Sequence, residues 1–156
     1  MANWHVHEYV DLAPRAETPY ELKELDDISL VGQQHKEGES STAAMGRIAY
    51  RTITGKEPRA QETRTVLSYL VHWLISMGSS GMYGALRGST DSADMQGGIL
   101  LGTILWLFGD EFLMPVLGLT DGPTAYPSEL HAYSWGAHMA YGIASSMATQ
   151  LLEKLL

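Results

Sequence analysis

The stretch QGGILLGTILWLFGDEFLMPVLGL, residues Gln96–Leu119, decides the fold of this chain. It is almost entirely apolar, yet it contains two adjacent carboxylates, Asp110 and Glu111. Ionisable groups at membrane depth are costly and usually face a partner. The stretch therefore predicts a membrane-spanning helix whose acidic pair is held by polar groups of neighbouring helices.

Charge is distributed unevenly along the 156 residues, although the mean hydropathy of −0.09 is that of an ordinary soluble domain. Residues 1–65 contain eleven acidic and eight basic residues. Residues 66–156 contain seven acidic residues and only two basic ones, Arg87 and Lys154. The average thus conceals a polar N-terminal region followed by an apolar body.

Several functional classes are disfavoured by composition. The net charge of −8 argues against a nucleic-acid partner, since phosphates need a basic face. The absence of cysteine excludes disulfides, thiolate metal sites and cysteine nucleophiles. No phosphate-binding glycine loop and no nucleophile elbow is present, so we expect a non-enzymatic protein, with no cofactor required by the sequence.

Two N-terminal segments precede the apolar body. Residues 1–40 contain nine acidic and three basic residues, too polar to fold alone, and predict a cytoplasmic extension that docks on a partner. Residues 41–54, STAAMGRIAYRTIT, predict an amphipathic helix at the membrane interface, with Arg47 and Arg51 on its polar face. A soluble helix packed on the rest of the protein is the alternative.

Three spans are predicted in a helical membrane domain of residues 41–156, at about 66–86, 96–119 and 129–152. Each reaches the ~20 residues that a ~30 Å hydrocarbon layer requires. The predicted fold class is therefore all-α: a polytopic membrane protein with three transmembrane helices, an N-terminal amphipathic interfacial helix and a polar tail. A soluble three-helix bundle is the alternative. Basic residues cluster before the first span, which places the N-terminus in the cytoplasm; they are Arg47, Arg51, Lys56, Arg59 and Arg64.

Small residues recur at every fourth position in two of the spans. The third span presents Ala132, Gly136, Ala140, Ala144 and Ala148, and the second presents Gly98 and Gly102. Such faces let helices approach closely within membranes. They predict packing against other membrane-protein subunits as well as lipid, in a homo-oligomer or a hetero-oligomer.

Ionisable residues on the three spans fall at similar predicted depths and form an intramembrane polar layer. Its members are His72, Asp110, Glu111, His131 and His138. The layer has three interpretations: structural pairing, a metal or cofactor site with His72, Glu111 and His138 as candidate ligands, or a proton or substrate pathway. Neighbouring helical residues diverge by ~100°, so we do not expect Asp110 and Glu111 both to face inward. Pro115 should kink the helix beside them.

From about Ser41 onward the chain resembles the YagU-like family of bacterial inner-membrane proteins, which lack an established activity. The residues that carry the resemblance are Val71, His72 and Trp73; Gly81, Met82, Tyr83 and Gly84; Trp106, Gly109, Asp110, Glu111, Pro115, Gly118 and Leu119; and Pro123, Tyr126, Pro127, His131, His138, Tyr141 and Gly142. The resemblance implies an integral membrane protein in the bacterial inner membrane. It implies no substrate, and the acidic first 40 residues depart from the apolar span with which such proteins usually begin.

The expectation is therefore an accessory or structural subunit of a larger membrane complex. It would dock through the N-terminal tail and the small-residue helix faces. The alternative is a transporter, or an intramembrane metal- or cofactor-binding protein, that uses the His/Asp/Glu layer.

Overall fold

The computed structural model describes residues 28–87 and 94–155, and within these ranges the chain is all helical, with no strand. The all-α prediction is confirmed. In the described part of the chain the four helices are α1, Ser41–Thr54; α2, Gln61–Arg87; α3, Met95–Val116; and α4, Ser128–Leu155. A 3-10 turn, Pro123–Ala125, precedes α4. The predicted spans 66–86 and 129–152 lie inside α2 and α4, whereas α3 ends three residues before the predicted limit of its span.

Helix α1 occupies the predicted range because both of its ends carry local stop signals. The Ser40 hydroxyl accepts a hydrogen bond from the backbone N–H of Ala43, and Gly55 ends the helix in the left-handed conformation, with φ at 68°. The helix packs on α2 at Gly46, where an added Cβ would lie 2.9 Å from the Leu67 side chain. Arg47 departs from the prediction, since it is buried rather than displayed on a polar face.

Helices α3 and α4 pack backbone against backbone. A Cβ added to Gly98 would lie 2.7 Å from the carbonyl oxygen of Gly142, and one added to Gly102 would overlap the carbonyl of His138. The close approach predicted for Gly98 and Gly102 thus occurs within this chain. On α4 it involves Gly142 and not the row of small residues singled out in the sequence.

The second half of α3 is a π-helix, Leu105–Leu113. Pro115 lies two residues after its end and has no N–H to donate to the turn before it. The N–H of Met114 bonds to the carbonyl of Gly109, five residues earlier. Each turn then holds more residues than in an α-helix, so consecutive side chains diverge less around the axis.

Helices α2 and α4 meet through hydroxyl groups. The Tyr141 hydroxyl donates to the carbonyl of Ser76 and lies 2.8 and 2.6 Å from the hydroxyls of Ser79 and Ser80. Ser145 lies 2.8 Å from Ser80 in the same cluster. The polar side chains of these two helices therefore satisfy one another between the helices.

Residues 28–40 run without helix across the C-terminal end of α3; we call this segment the strap. The backbone N–H of Leu30 donates to Val116, and those of Gln34 and His35 donate to the carbonyl of Gly118 at 2.8 and 3.0 Å. The described part of the acidic extension thus packs on its own chain. Residues 1–27, the rest of the extension expected to dock on a partner, lie outside the described residues.

Candidate functional site

The two carboxylates of α3 both contact α4. A Glu111 oxygen lies 2.6 Å from Nδ1 of His131, and an Asp110 oxygen accepts a hydrogen bond from Ser134 and lies 3.6 Å from Nε2 of His138. The expectation that only one of them faces inward is corrected. The cause is the π-helix, whose smaller rotation per residue keeps two adjacent side chains on one side.

Each of the α4 histidines lies between two oxygen atoms. Nε2 of His131 is 2.9 Å from the carbonyl of Pro123, and Nδ1 of His138 is 2.9 Å from the carbonyl of Ser134. A carbonyl can only accept, so these ring nitrogens carry hydrogen. The other ring nitrogen of each histidine faces a carboxylate, Glu111 for His131 and Asp110 for His138.

His72 stands apart from the rest of the predicted layer. Its side chain is exposed on α2 and reaches Asp110 only through a longer-range electrostatic interaction. The structure therefore joins four of the five predicted residues, as two carboxylate–histidine pairs. No group of three or more His, Cys, Asp or Glu side chains within residues 28–87 and 94–155 is placed to hold a metal ion, so the candidate ligands His72, Glu111 and His138 are not gathered into one site.

A cavity of about 910 Å³ opens beside these pairs at the end of α3. Its walls come from the strap, α3, the segment between α3 and α4, and the first turns of α4. Five acidic residues line it, and no lysine or arginine does; they are Glu37, Glu39, Asp110, Glu111 and Asp121. The cavity is therefore an acidic chamber at one end of the helices.

A third histidine lies against the cavity and was not identified from the sequence. His35 of the strap is mostly buried, with its Nδ1 2.9 Å from the carbonyl of Gly118 and its Nε2 3.4 Å from Asp121. It shares the arrangement of the α4 histidines, one nitrogen beside a carbonyl and the other beside a carboxylate. No local pattern indicates this role, because His35 and Asp121 are far apart in sequence and polar segments surround both.

Glu39 and Arg47 anchor the strap to α1 by a bidentate ion pair. Arg47 donates to the two Glu39 oxygens at 2.8 Å and also to the carbonyl of Gln34. Burial of Glu39 opposes its ionisation, but the hydrogen bonds from Arg47 and from the backbone N–H of Lys36 outweigh burial and lower the pKa of Glu39 below its ordinary value. The hydrogen bond to Glu39 raises the pKa of Arg47, so the pair stays charged near neutral pH.

The small-residue row of α4 faces away from the other helices of this chain. Ala132, Ala140, Ala144 and Ala148 are exposed, and Gly136 is half-buried with open space where a Cβ would be. Ala140 lies about half a turn from His138 on a helix with ~3.6 residues per turn. One side of α4 therefore carries the polar contacts with α2 and α3, and the opposite side carries the small residues.

Helix α3 is long and apolar enough to cross a membrane; α2 and α4, although longer, do not reach the same apolarity, since Ser, Gly, Tyr and His are interspersed along them. Within residues 28–87 and 94–155, one helix thus has the length and apolarity of a membrane span, which gives weak support for membrane association. Comparison with protein-family models, with curated proteins and with solved structures finds no match to the chain.

Proposed function

We propose that this chain is an integral membrane protein in which α2, α3 and α4 all span the bilayer. The observation that carries the proposal is the outward display of large apolar side chains along all three helices. Only 11% of the most apolar window of α3 is buried, whereas the core helix of a soluble protein would be covered. Side chains at least half exposed include Leu70, Trp73, Phe108, Phe112, Met147 and Leu151.

The lengths of the helices support three spans. At ~1.5 Å per residue, α2, α3 and α4 extend over about 40, 33 and 42 Å, enough for a hydrocarbon layer of ~30 Å. The polar groups that lower the apolarity of α2 and α4 point at each other, as in the Tyr141–Ser80 contact. Lipid would therefore meet mainly apolar side chains even on these two helices.

The resemblance to the YagU-like family and the positions of the basic residues suggest a location and an orientation. The family implies the bacterial inner membrane. Arg51, Lys56 and Arg59 precede α2, and Arg64 lies in its first turn. By the positive-inside rule these residues hold the N-terminus, the strap and the acidic cavity on the cytoplasmic side.

Within the membrane the chain acts as a non-enzymatic accessory or structural subunit of a larger complex. The support is the exposed small-residue row of α4, which lies on the side turned away from this chain's own helices. Another membrane helix can approach that row closely, because nothing larger than a methyl group projects from it. Acidic residues 1–27 would provide a second docking segment.

Site-specific cross-linking tests this role, since the natural chain has no cysteine. A benzophenone maleimide is attached to Ala140→Cys, on the small-residue row, or to Met82→Cys, an exposed control position on α2. After illumination of native membranes, we expect protein adducts from position 140 and few from position 82. A monodisperse single chain in mild detergent, with equal adduct yields from both positions, would refute the subunit role.

A second candidate function is transport of a proton or a small substrate. The two carboxylate–histidine pairs at the acidic cavity favour it, because polar chains of this type at membrane depth mark transport pathways. Under this function, Glu111→Gln and His138→Ala would lose a transport signal in reconstituted vesicles while expression stays normal. Loss of expression in both variants would instead indicate that the pairs only hold the helices together.

A further inference from the structure

His35 lies between two oxygen atoms where the strap meets the end of α3. Nδ1 lies 2.9 Å from the Gly118 carbonyl and Nε2 lies 3.4 Å from an Asp121 oxygen. A neutral imidazole carries one N–H and can donate to only one of these oxygens. An imidazolium donates to the carbonyl and also forms an ion pair with the carboxylate.

A neutral His35 side chain interacts less favourably with Asp121 than the charged form does. With the hydrogen on Nδ1, the lone pair of Nε2 faces Asp121, and its nearest donor is the side-chain amide of Gln33 at 3.4 Å. With the hydrogen on Nε2, the lone pair of Nδ1 faces the Gly118 carbonyl. The neutral tautomer that donates to Gly118 can accept from Gln33 but offers no hydrogen to Asp121, and only the charged form presents an N–H to both oxygens.

The groups that surround His35 are mostly acidic. The His35 side chain is 8% exposed, so water screens its neighbours weakly. The charged and titratable groups around it are Lys36, Glu37 and Glu39 of the strap, Arg47 of α1, Asp110 and Glu111 of α3, Asp121 of the connecting segment, and His131 of α4. Arg47 is paired with Glu39, and acidic side chains outnumber basic ones among these groups.

The same segment also forms one wall of the cavity. Strap residues on both sides of His35 line the chamber that contains Asp110 and Glu111, and the strap is tied down at Gly118 by the N–H groups of Gln34 and His35. Anything that loosens the strap at Gly118 opens this wall. We propose that His35 makes the strap an acid-stabilised clasp, which closes over the cavity when His35 is protonated and loosens when it is neutral.

Hydrogen exchange of the full chain in detergent micelles tests the clasp directly. The amide hydrogens of Gln34 and His35 exchange only when their bonds to Gly118 open. Histidine normally changes charge between about pH 5 and 8. Between pH 8 and pH 5.5 we expect their protection factors, each taken against the intrinsic rate at that pH, to rise about tenfold, the scale of one charge-assisted hydrogen bond.

Two histidine variants provide a matched comparison. His35→Gln should abolish the pH response, whereas His72→Gln, the same change at an exposed histidine of α2, should retain it. Asp121→Asn leaves the bond between His35 and Gly118 in place but removes the carboxylate, so it should reduce the pH response. The amides of α1 report whether a variant is folded, and if His35→Gln does not protect them, Asp121→Asn serves as the test of the clasp. A wild-type response below twofold, or a full response in Asp121→Asn, would overturn the clasp.

The clasp goes beyond the proposed membrane role. The clasp proposal can fail while cross-linking from position 140 supports the subunit role. Hydrogen exchange at the strap can also confirm the clasp when cross-linking finds no partner subunit.

Discussion

Replacing Gly102 with alanine tests whether the backbone contact between α3 and α4 holds this fold together. The new Cβ would lie 2.5 Å from the carbonyl carbon of His138 and 2.8 Å from Cα of Met139. Carbon atoms in contact are normally about 3.5 Å apart, so the helices must separate by about 1 Å. Both neighbours are backbone atoms, and no side-chain rotation can relieve the overlap.

The expected cost is at the upper end of the range for overpacking, about 3 kcal/mol. A 1 Å separation along the seam would also lengthen the contacts at Gly98 and Gly142 and weaken dispersion between the helices. The α3–α4 interface is the most extensive contact between helices in the described part of the chain. We therefore expect loss of a large part of the total stability.

Unfolding in mixed micelles, followed by tryptophan fluorescence, measures this cost. The matched control is Gly136→Ala on α4, where nothing lies within 4 Å of the added Cβ. That change should be neutral or stabilising by up to about 1 kcal/mol, because alanine is the better helix former. Equal unfolding midpoints for Gly102→Ala and Gly136→Ala would show that α3 and α4 do not pack at these glycines.

Three further changes address other contacts. Arg47→Met should destabilise the protein by about 3 kcal/mol in chemical unfolding, because it leaves Glu39 buried without its cation. In the wild type, the contribution of Glu39 to stability is fully present above its ordinary pKa of 4.5 and is lost as the pH falls through its lowered pKa in the folded state. A series of unfolding measurements at decreasing pH will show this loss. Tyr141→Phe should cost about 1 to 2 kcal/mol through lost hydrogen bonds between α2 and α4. The same change at exposed Tyr69 should cost less than about 0.5 kcal/mol, and equal costs would contradict the hydroxyl cluster. Gly118→Ala, at a residue with φ of 65°, should cost at least about 1 kcal/mol and expose the strap to limited proteolysis, while unchanged cleavage would contradict its docking there.

Local signals in the sequence account for the helices themselves. The limits of α1 follow from a serine cap and a terminal glycine, which act within a few residues of the helix and need no tertiary contact. The bounds of α2 and α4 similarly enclose the predicted apolar runs. The end of α3 was predicted three residues too late, because hydropathy continues to Leu119 while Gly118, in the left-handed conformation, already ends the helix. The N–H groups of Gly118 and Leu119 turn back to the carbonyls of Pro115 and Met114.

The candidate site was predictable in its residue types but not in its pairing. Ionisable side chains in an apolar run must find partners, so Asp110, Glu111, His131 and His138 could be selected before their contacts were known. Which carboxylate meets which histidine, Asp110 at 3.6 Å from His138 and Glu111 at 2.6 Å from His131, is set by the packing of α3 on α4. The α-helical angle used for the second carboxylate was wrong, because a π-helix depends on hydrogen bonding across several turns.

The amino-acid sequence alone determined the helical class, the extents of the helices, and the presence of a polar layer in an apolar body, since these follow from periodicity, caps and the cost of burying charge. Only the tertiary structure decided that Gly142 rather than the alanine row meets α3, that Arg47 is buried, and that His35 lies beside Asp121. The physical reason is that which face of a helix is covered, and which distant residues meet, depends on how whole elements pack. Residues such as His35 and Asp121, 86 positions apart, carry no local trace of their contact.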